Sequence, residues 1–249
     1  MDAAGLARFI LHQGADLAHS RFARTSQGLA GFGYINRTGD ISRVAGMGVV
    51  PAARRSGVAR RLLAHLLEEA RARGDQAMVL EVIQQNPAAH ALYAQEGFRE
   101  KGGLLGWRRE AGGVAPGQAH EALEEIPFIQ ASQLPSALEF PELPWAISRH
   151  AVAKMASGRA FASNHALVVI SDPKVTPIRV HALSCLSHSG MDWDALRNAL
   201  GALLKLYPEQ EFFTPPVFPE QFGEKVFQPL GFAREPLSQF LMRYDLSDC

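Results

Sequence analysis

The most regular alternation of apolar and polar residues in this sequence lies between residues 57 and 73. Apolar residues come in pairs that recur every fourth position, and charged residues such as Glu68 and Arg71 occupy other positions. The pairs are Val58/Ala59, Leu62/Leu63 and Leu66/Leu67. A four-residue rhythm is close to one turn of an α-helix, so the pattern predicts an amphipathic helix. Gly74 is predicted to end it.

Shorter apolar runs on both sides of this helix predict strands. Residues 29–35 alternate well enough for one strand, and residues 41–50 predict a second after a turn. Gly46 and Gly48 in the second run indicate a bulge or a close approach of the backbone. Residues 77–83 are too apolar for a half-exposed strand, so we expect them at the centre of the sheet.

Three further segments are predicted less regularly. Residues 3–17 have the composition of a helix, with no strand candidate ahead of them. Asn86, followed by Pro87, predicts the capped start of another helix, which Gly97 would end. Residues 102–109 begin with a pair of glycines and predict a last hairpin for the first part of the chain.

The start of the long helix has the features of an anion site. Ser56, Gly57 and Ala59 fall in its first turn, where backbone N–H groups lack intrahelical partners and the helix dipole is positive. An arriving polyanion would relieve the repulsion among four arginines at this end. These are Arg54, Arg55, Arg60 and Arg61. Small residues let the backbone approach a phosphate, so the loop predicts a pyrophosphate ligand, although neither a P-loop nor a dinucleotide fingerprint fits the spacing.

Two motifs in order resemble a known family. The first is Arg-x-x-Gly-x-Ala from Arg54 to Ala59, directly after a strand that ends in Val-x-Pro. The second consists of Leu80-Glu81-Val82, Asn86, Ala89, Leu92-Tyr93 and Gly97-Phe98. With both motifs within residues 28–109, the sequence resembles the GNAT superfamily of acetyl-CoA-dependent N-acetyltransferases.

The resemblance implies the fold class and the acetyl donor. The fold would be α/β (α+β layered), with two GNAT-like domains that are each a mixed, mostly antiparallel twisted sheet flanked by helices. The donor would be acetyl-CoA. The implied binding residues are Met47, Gly48, Val49, Val50, Arg54, Arg55, Ser56, Gly57, Val58, Ala59, Arg60, Asn86, Ala89 and Tyr93. Family members also begin with a strand before their first helices, so we expect this chain to lack that edge strand.

The resemblance also implies two catalytic residues. Acetylation of an amine expels a thiolate, and a phenol can donate the proton that the sulfur needs. Tyr93, which shares a helix face with Ala89, is the implied general acid. Glu81 lies on the central strand, where some family members place a base that acts through water. Tyr93 has an alternative role as a half-buried packing aromatic, and Glu81 as a solvated or paired carboxylate.

The second half of the chain resembles a degenerate copy of the first. Residues 111–117 have the composition of a linker, so we predict domains at 1–112 and 113–249. Strand candidates at 166–171 and 178–184 precede a helix that Asp192 opens, and Phe227 lies 134 positions after Tyr93. Residues 186–190 contain no arginine, and phenylalanine has no proton to give. The second copy is therefore predicted to be degenerate and non-catalytic.

Composition narrows the remaining possibilities. The chain of 249 residues has 25 basic and 25 acidic residues, so no net field attracts nucleic acid or an anionic membrane. Cys185 and Cys249 are far apart, which favours a reducing compartment, and no signal peptide or membrane span is visible. We expect a cytoplasmic monomer or homodimer. The nine histidines form no metal set that spacing reveals.

The predicted function is transfer of an acetyl group from acetyl-CoA to a primary amine, by direct attack within a ternary complex. The sequence leaves open whether the acceptor is a small molecule or a peptide. One alternative is a non-catalytic acyl-CoA-binding or regulatory protein, and another is a structural dimerisation module. Tyr93 and Asn86 favour the enzyme, because a sensor has no need of a proton donor.

Overall fold

The computed structural model describes residues 2–113, 122–139, 141–186 and 190–246. Residues 114–117 of the predicted linker, the loop residues 187–189 and Cys249 lie outside these ranges. The chain divides into two compact units. Residues Met1–Lys101 with Phe240–Cys249 form the first, and Gly102–Gln239 form the second. The domain boundary that composition predicts near residue 113 stays a prediction.

Both units alternate strands and helices. The first contains α1 (Ala3–His12), β1 (Asp16–Thr25), β2 (Gly28–Thr38), β3 (Ile41–Val49), a short turn of 3-10 helix (Pro51–Ala53), α2 (Val58–Ala72), β4 (Ala77–Ile83) and α3 (Pro87–Gln95). Strand β5 (Arg99–Arg109) begins at the end of the first unit and continues in the second. The second then contains β6 (Glu124–Ile126), α4 (Arg149–Val152), β7 (Arg159–Ala162), β8 (Ala166–Ile170), β9 (Ile178–Cys185), α5 (Trp193–Leu206), β10 (Phe212–Pro219) and α6 (Glu220–Phe222). Strand β11 (Ala233–Asp245) ends the described chain, and its residues from Phe240 onward belong to the first unit.

The sheet of the first unit has the order β1-β2-β3-β4-β11. Strands β1, β2 and β3 pair antiparallel, and β3 and β4 pair parallel. The predicted strands at 29–35 and 41–50 are confirmed by β2 and β3, and the prediction that residues 77–83 form a central strand is confirmed by β4. Six of the seven β4 residues are buried or half-buried, as a strand with neighbours on both sides requires.

Helix α2 is the element on which this core is built. Its apolar face packs Leu63 and Leu66 against Met78 and Leu80 of β4. Burying each such side chain contributes about 1.5–3 kcal/mol. The helix spans the predicted segment and is followed by Gly74 at φ 76°, so both the helix and its end are confirmed.

The prediction for the first residues is wrong in part. Helix α1 ends at His12, and residues 16–25 form β1, which sequence analysis did not predict. The register between β1 and β2 shifts at two places, between Asp16 and Arg21 and between Ala23 and Arg24. Such shifts break the period of two by which a strand is recognised. In the described residues α1 has no strand ahead of it, and β1 is the edge strand of this sheet.

The prediction of a last hairpin at residues 102–109 is also wrong. Residues 99–109 form the single strand β5. The neighbour of β4 on the side away from β3 is β11, from the end of the chain. Met242 of β11 and Leu246, which follows the strand, enter the core of the first unit. The first unit is therefore completed by residues more than a hundred positions beyond its other strands.

The second unit repeats the order of elements seen in the first. Its sheet runs β11-β5-β10-β9-β8-β7-β6. Strands β7, β8 and β9 pair antiparallel, α5 follows β9, and β10 then pairs parallel with β9. Trp107, Phe218 and Phe227 lie in its core. The fold class is therefore confirmed: mixed, mostly antiparallel sheets flanked by helices. Within the described part of the chain, no helix has the length and apolar character that crossing a bilayer would take.

Candidate functional site

The first unit contains a place where two neighbouring strands diverge. Strands β3 and β4 pair at Ile41 with Ala77, Ser42 with Met78 and Arg43 with Val79, and the described register between them ends there. On its other side β3 stays paired with β2 as far as Val49. Residues 44–49 of β3 thus face residues 80–83 of β4 without forming ladder pairs. We call this opening the strand gap.

Backbone groups of β3 at the strand gap are available to a ligand. A strand edge presents a row of N–H and C=O groups that can pair with another extended chain. The register shifts between Tyr34 and Ile35, where Gly46 and Val44 are their partners, so the predicted irregularity near Gly46 is confirmed. At Gly48 the approach is close, because an added Cβ would lie 2.7 Å from the ring of Phe32. The strand gap can therefore hold an extended, amide-containing molecule.

Helix α2 begins next to the end of β3 with an open first turn. Its N-cap is Gly57, at φ 80°, and no side chain caps the helix. The first backbone bond is donated by Arg61 N–H to the Gly57 carbonyl oxygen at 3.0 Å. The N–H groups before it are free for an anion, and the helix dipole adds a partial positive charge. This geometry fits a phosphate.

The four arginines near this helix start have different surroundings. Arg60 donates to Glu96 Oε1 at 2.7 Å and to Gln95, which directs its guanidinium toward the end of α3. Arg61 donates to the Ser56 carbonyl oxygen at 3.3 Å. Arg54 reaches the Val49 carbonyl oxygen at 3.4 Å and is exposed. Arg55 is exposed at φ 62°, and its side chain makes no hydrogen bond or ion pair in the described structure. Arg54 and Arg55 are the cations best placed to meet an anion.

Helix α3 positions the residues of the second motif. Asn86 caps it, with Oδ1 accepting from Ala89 N–H at 3.2 Å, which confirms the predicted cap. Tyr93 lies two turns further on, with only 8% of its surface exposed and its ring 5.9 Å from that of Phe98. Burial raises the pKa of the Tyr93 phenol to about 12, because an ionised phenolate would lose its hydration. The phenol therefore keeps its proton at neutral pH.

Glu81 is a paired carboxylate, one of the alternatives that the sequence left open, and its partner, Arg43, was not predicted. Both of its side-chain oxygens accept from Arg43 Nε, the nearer at 2.8 Å, and Arg43 Nη2 lies 2.7 Å from Oε2. The two side chains are each only 7% exposed. Gln13 Oε1 accepts from Arg43 Nη2 at 3.0 Å. No spacing rule joins residues 13, 43 and 81, because they meet only through the packing of α1, β3 and β4.

The helix start at the corresponding place in the second unit is capped by a side chain. Helix α5 follows β9 as α2 follows β3, but Asp192 caps it, with Oδ1 accepting from Ala195 N–H at 2.9 Å. Asp194 adds a second carboxylate in the first turn. A cavity of about 700 Å³ lies there, lined by His165, Cys185, Gly190, Met191, Asp192, Trp193, Asp194, Arg197 and Lys225. Asp194 is paired with Arg197, but Asp192 already accepts one of the first N–H groups of α5, so this helix start differs from the uncapped start of α2.

Comparisons with known proteins agree with this geometry. Residues 6–98 match the model of the acetyltransferase (GNAT) family. No curated protein matches the chain. A GCN5-related N-acetyltransferase from Anabaena variabilis is similar over 99% of this chain and 67% of its own, with a TM-score of 0.66 and 14% identity. One from Sphaerobacter thermophilus is similar over 98% and 86%, with a TM-score of 0.62 and 11% identity.

A third solved structure bears on the repeat. It is a tandem GNAT protein from the clavulanic acid biosynthesis pathway, similar over 94% of this chain and 85% of its own, with a TM-score of 0.54 and 18% identity. At identities this low, the similarity to these structures shows the fold alone. The chain therefore has the fold of these GNAT proteins, and its residues 6–98 match the model of the acetyltransferase (GNAT) family.

Proposed function

We propose that the first unit transfers an acetyl group from acetyl-CoA to a primary amine. The observation that carries this proposal is the strand gap beside the open start of α2. One feature suits an extended amide chain and the other suits a pyrophosphate, and CoA contains both. In the overall reaction an amine nitrogen forms a bond to the acetyl carbon, the carbon–sulfur bond breaks, and the proton that the amine loses balances the one that the sulfur gains.

Binding of the donor is assigned to the loop and to β3. Backbone N–H groups from Ser56 to Arg60, with the guanidinium groups of Arg54 and Arg55, would hold the pyrophosphate. Backbone groups of residues 47–50 that point away from β2 would align the pantetheine arm and polarise the thioester carbonyl. Holding both reactants in one cleft can supply roughly 7–11 kcal/mol of the acceleration.

Tyr93 is the proposed general acid. A donor to a departing thiolate must hold its proton at the working pH, and the buried phenol does so because its pKa is about 12. Its position on α3, four residues after Ala89, places a small residue one turn before the phenol. This leaves room for a ligand beside the ring.

Glu81 remains the proposed base, and its ion pair defines how this should be tested. The contact between Arg43 Nη2 and Glu81 Oε2, at 2.7 Å, also suits a positioning role for the pair. If Glu81 accepts the proton of the amine, Glu81→Gln should remove the acidic limb of the pH profile of kcat/KM. An unchanged limb with reduced kcat would leave Glu81 a positioning role only.

The second unit is proposed to be non-catalytic. Its helix start is closed by Asp192, and Phe227, at the place of Tyr93, is fully buried among Trp107, Phe218 and Phe232. Assignment of residues 1–112 to transfer and of 113–249 to a degenerate repeat belongs to this proposal. Activity in the cytoplasm, as a monomer or homodimer, belongs to it as well.

Thiol release tests the proposed function. Purified protein is mixed with acetyl-CoA and a panel of primary amines, free thiol is measured, and acetylated amines are identified by mass spectrometry. The proposal expects one thiol for each acetylated amine. Binding of acetyl-CoA without release for any amine would support the alternative, a non-catalytic acyl-CoA-binding protein.

A further inference from the structure

Four aromatic rings gather on one face of the sheet in the first unit. Gly31 and Gly33 of β2 point toward Leu62 and Leu66 of α2, so the alternating residues Phe32 and Tyr34 point to the opposite face. The Phe32 and Tyr34 rings lie 4.7 Å apart, and Phe22 of β1 meets Tyr34 edge-on at 6.1 Å. Phe9 of α1 adds the fourth ring. We call these residues the aromatic face: Phe9, Phe22, Phe32 and Tyr34.

The aromatic face lies against the strand gap. An added Cβ at Gly46 would lie 3.5 Å from the Phe9 ring and 3.7 Å from Tyr34, and one at Gly48 would meet Phe32. Both glycines belong to the part of β3 that is no longer paired with β4. The rings therefore border the backbone proposed to align the thioester, on the side of the sheet opposite α2.

Two of these rings are unusually open to solvent. Phe22 is 56% exposed and Phe9 is 37% exposed, whereas Tyr34 beneath them is 3% exposed. Aromatic side chains have large apolar surfaces, and an exposed group of them marks a binding surface more often than a single exposed residue does. The buried ring of Tyr34 packs beneath Phe22 and Phe32 and supports them.

Among the described side chains, the carboxylate that lies beside the strand gap is paired. Beside the strand gap, Glu81 is held by Arg43, and Arg43 also donates to Gln13. On the same side, Asn36 Nδ2 donates to the Gln13 carbonyl oxygen at 2.8 Å. A polyamine or an aminoglycoside would need several carboxylates that are free to pair, whereas aromatic rings bind an apolar body and tolerate one ammonium group.

We propose that the acceptor is a hydrophobic primary amine, with an aromatic or branched aliphatic body that packs on the aromatic face and an amino group directed into the strand gap. This inference rests on the proposed acetyl transfer. It names the class of substrate for the same site. The body of the amine would be bound by Phe9, Phe22 and Phe32.

Acceptor preference tests the inference. The kcat/KM of phenethylamine, hexylamine, ethanolamine and spermidine is measured at saturating acetyl-CoA, by thiol release. Burial of a phenyl group corresponds to about a 10- to 100-fold gain, so phenethylamine should exceed ethanolamine by that factor. Phe22→Ala and Phe9→Ala should each lower kcat/KM for phenethylamine by about tenfold and leave that for ethanolamine within about twofold.

Leu11→Ala is the matched control, because Leu11 lies on the same helix as Phe9 but is 70% exposed and outside the aromatic face. It should leave the preference unchanged. Spermidine or ethanolamine used as well as phenethylamine would overturn the inference while the transfer function stands. So would bound acetyl-CoA with no turnover of phenethylamine. Failure to bind acetyl-CoA at all would instead overturn the proposed function.

Sedimentation of the same variants tests whether the aromatic face binds the acceptor or a second copy of the chain. If Phe9→Ala and Phe22→Ala convert a dimer to a monomer and leave the amine preference unchanged, the aromatic face is a subunit interface and the inference is wrong. The inference expects the sedimentation coefficient of both variants to equal that of the unmodified protein.

Discussion

Tyr93 is a nearly fully buried residue of the first unit, with 8% of its surface exposed. Its ring belongs to the core cluster of the first unit, with Leu80, Val82 and Phe98. Burial keeps the phenol protonated, with a pKa of about 12. The packing role that the sequence offered as an alternative is thus present, and the proposed function adds the role of proton donor to it.

Removal of the hydroxyl should therefore affect turnover more than binding. Tyr93→Phe keeps the ring and its contacts, and general acid catalysis contributes about 100-fold or more. We expect kcat to fall by about that factor, with the Kd for acetyl-CoA within about twofold of the unmodified value. Steady-state kinetics with calorimetry checks both. Equal turnover would remove Tyr93 from the mechanism.

The same burial predicts a dependence of stability on pH. Below about pH 10 the phenol is protonated in the folded and the unfolded chain, so it contributes no slope. Above that pH the unfolded chain ionises first, and stability is lost as the pH rises toward the folded pKa of about 12. From about pH 9 to about pH 11 the unmodified protein should lose about 1 kcal/mol more than Tyr93→Phe. Urea unfolding of both proteins measures this, and parallel losses would contradict the burial of Tyr93.

At the scale of single residues, the sequence predicts residues within motifs and misses the partners that are distant along the chain. Asn86 could be named as a cap because Pro87 follows it, and Tyr93 and Gly57 because they belong to the motifs that resemble a known family. Arg43 could not be named, because its role depends on facing Glu81 across two strands. Such a pair depends on the register of the sheet, which spacing along the chain does not contain.

Helix starts are the elements that distinguish the two units. Helix α2 starts at an uncapped glycine with exposed arginines, and α5 starts at a capping carboxylate. Both differences are visible in the sequence, because caps are local. Strand β1 was not predictable in the same way, since two register shifts remove its alternation. Helix caps could thus be predicted from the sequence, and a strand with irregular pairing could not.

The open start of α2 requires the conformation of Gly57. At φ 80° a side chain is strained, and an added Cβ would lie 3.2 Å from Arg61 Nη1. Gly74 offers a matched control, since it has φ 76° but nothing within 4 Å of an added Cβ. Gly57→Ala and Gly74→Ala should each lower stability by about 1 kcal/mol. Only Gly57→Ala should weaken acetyl-CoA binding, and equal affinities measured by calorimetry would place the pyrophosphate elsewhere.

The first unit depends on the end of the chain for part of its sheet and core. Residues 240–246 belong to the first unit, where Met242 and Leu246 are nearly fully buried. Sequence analysis predicted two consecutive domains because a linker composition and a repeat both point to residue 113. The sequence of β11 does not indicate whether this strand pairs in the sheet of the first unit or of the second.

Truncation tests this dependence. A chain that ends at residue 239 loses two buried side chains, each worth about 1.5–3 kcal/mol, and leaves β4 without its neighbour β11. We expect the first unit to unfold at lower urea concentration, as followed by proteolysis within residues 1–101. Removal of only residues 247–249 is the control and should have no such effect. Equal resistance of the two truncated chains would contradict the assignment of β11.

The central claim is that the loop at residues 54–60 holds acetyl-CoA, and calorimetric titration tests it most directly. The unmodified protein should bind, and the double variant Arg54→Ala/Arg55→Ala should bind about tenfold or more weakly, since two charge-assisted contacts are lost. Arg99→Ala/Arg234→Ala removes the same charge from exposed residues outside the site and should bind as the unmodified protein does. No binding by the unmodified protein, or equal weakening in both variants, would contradict the claim.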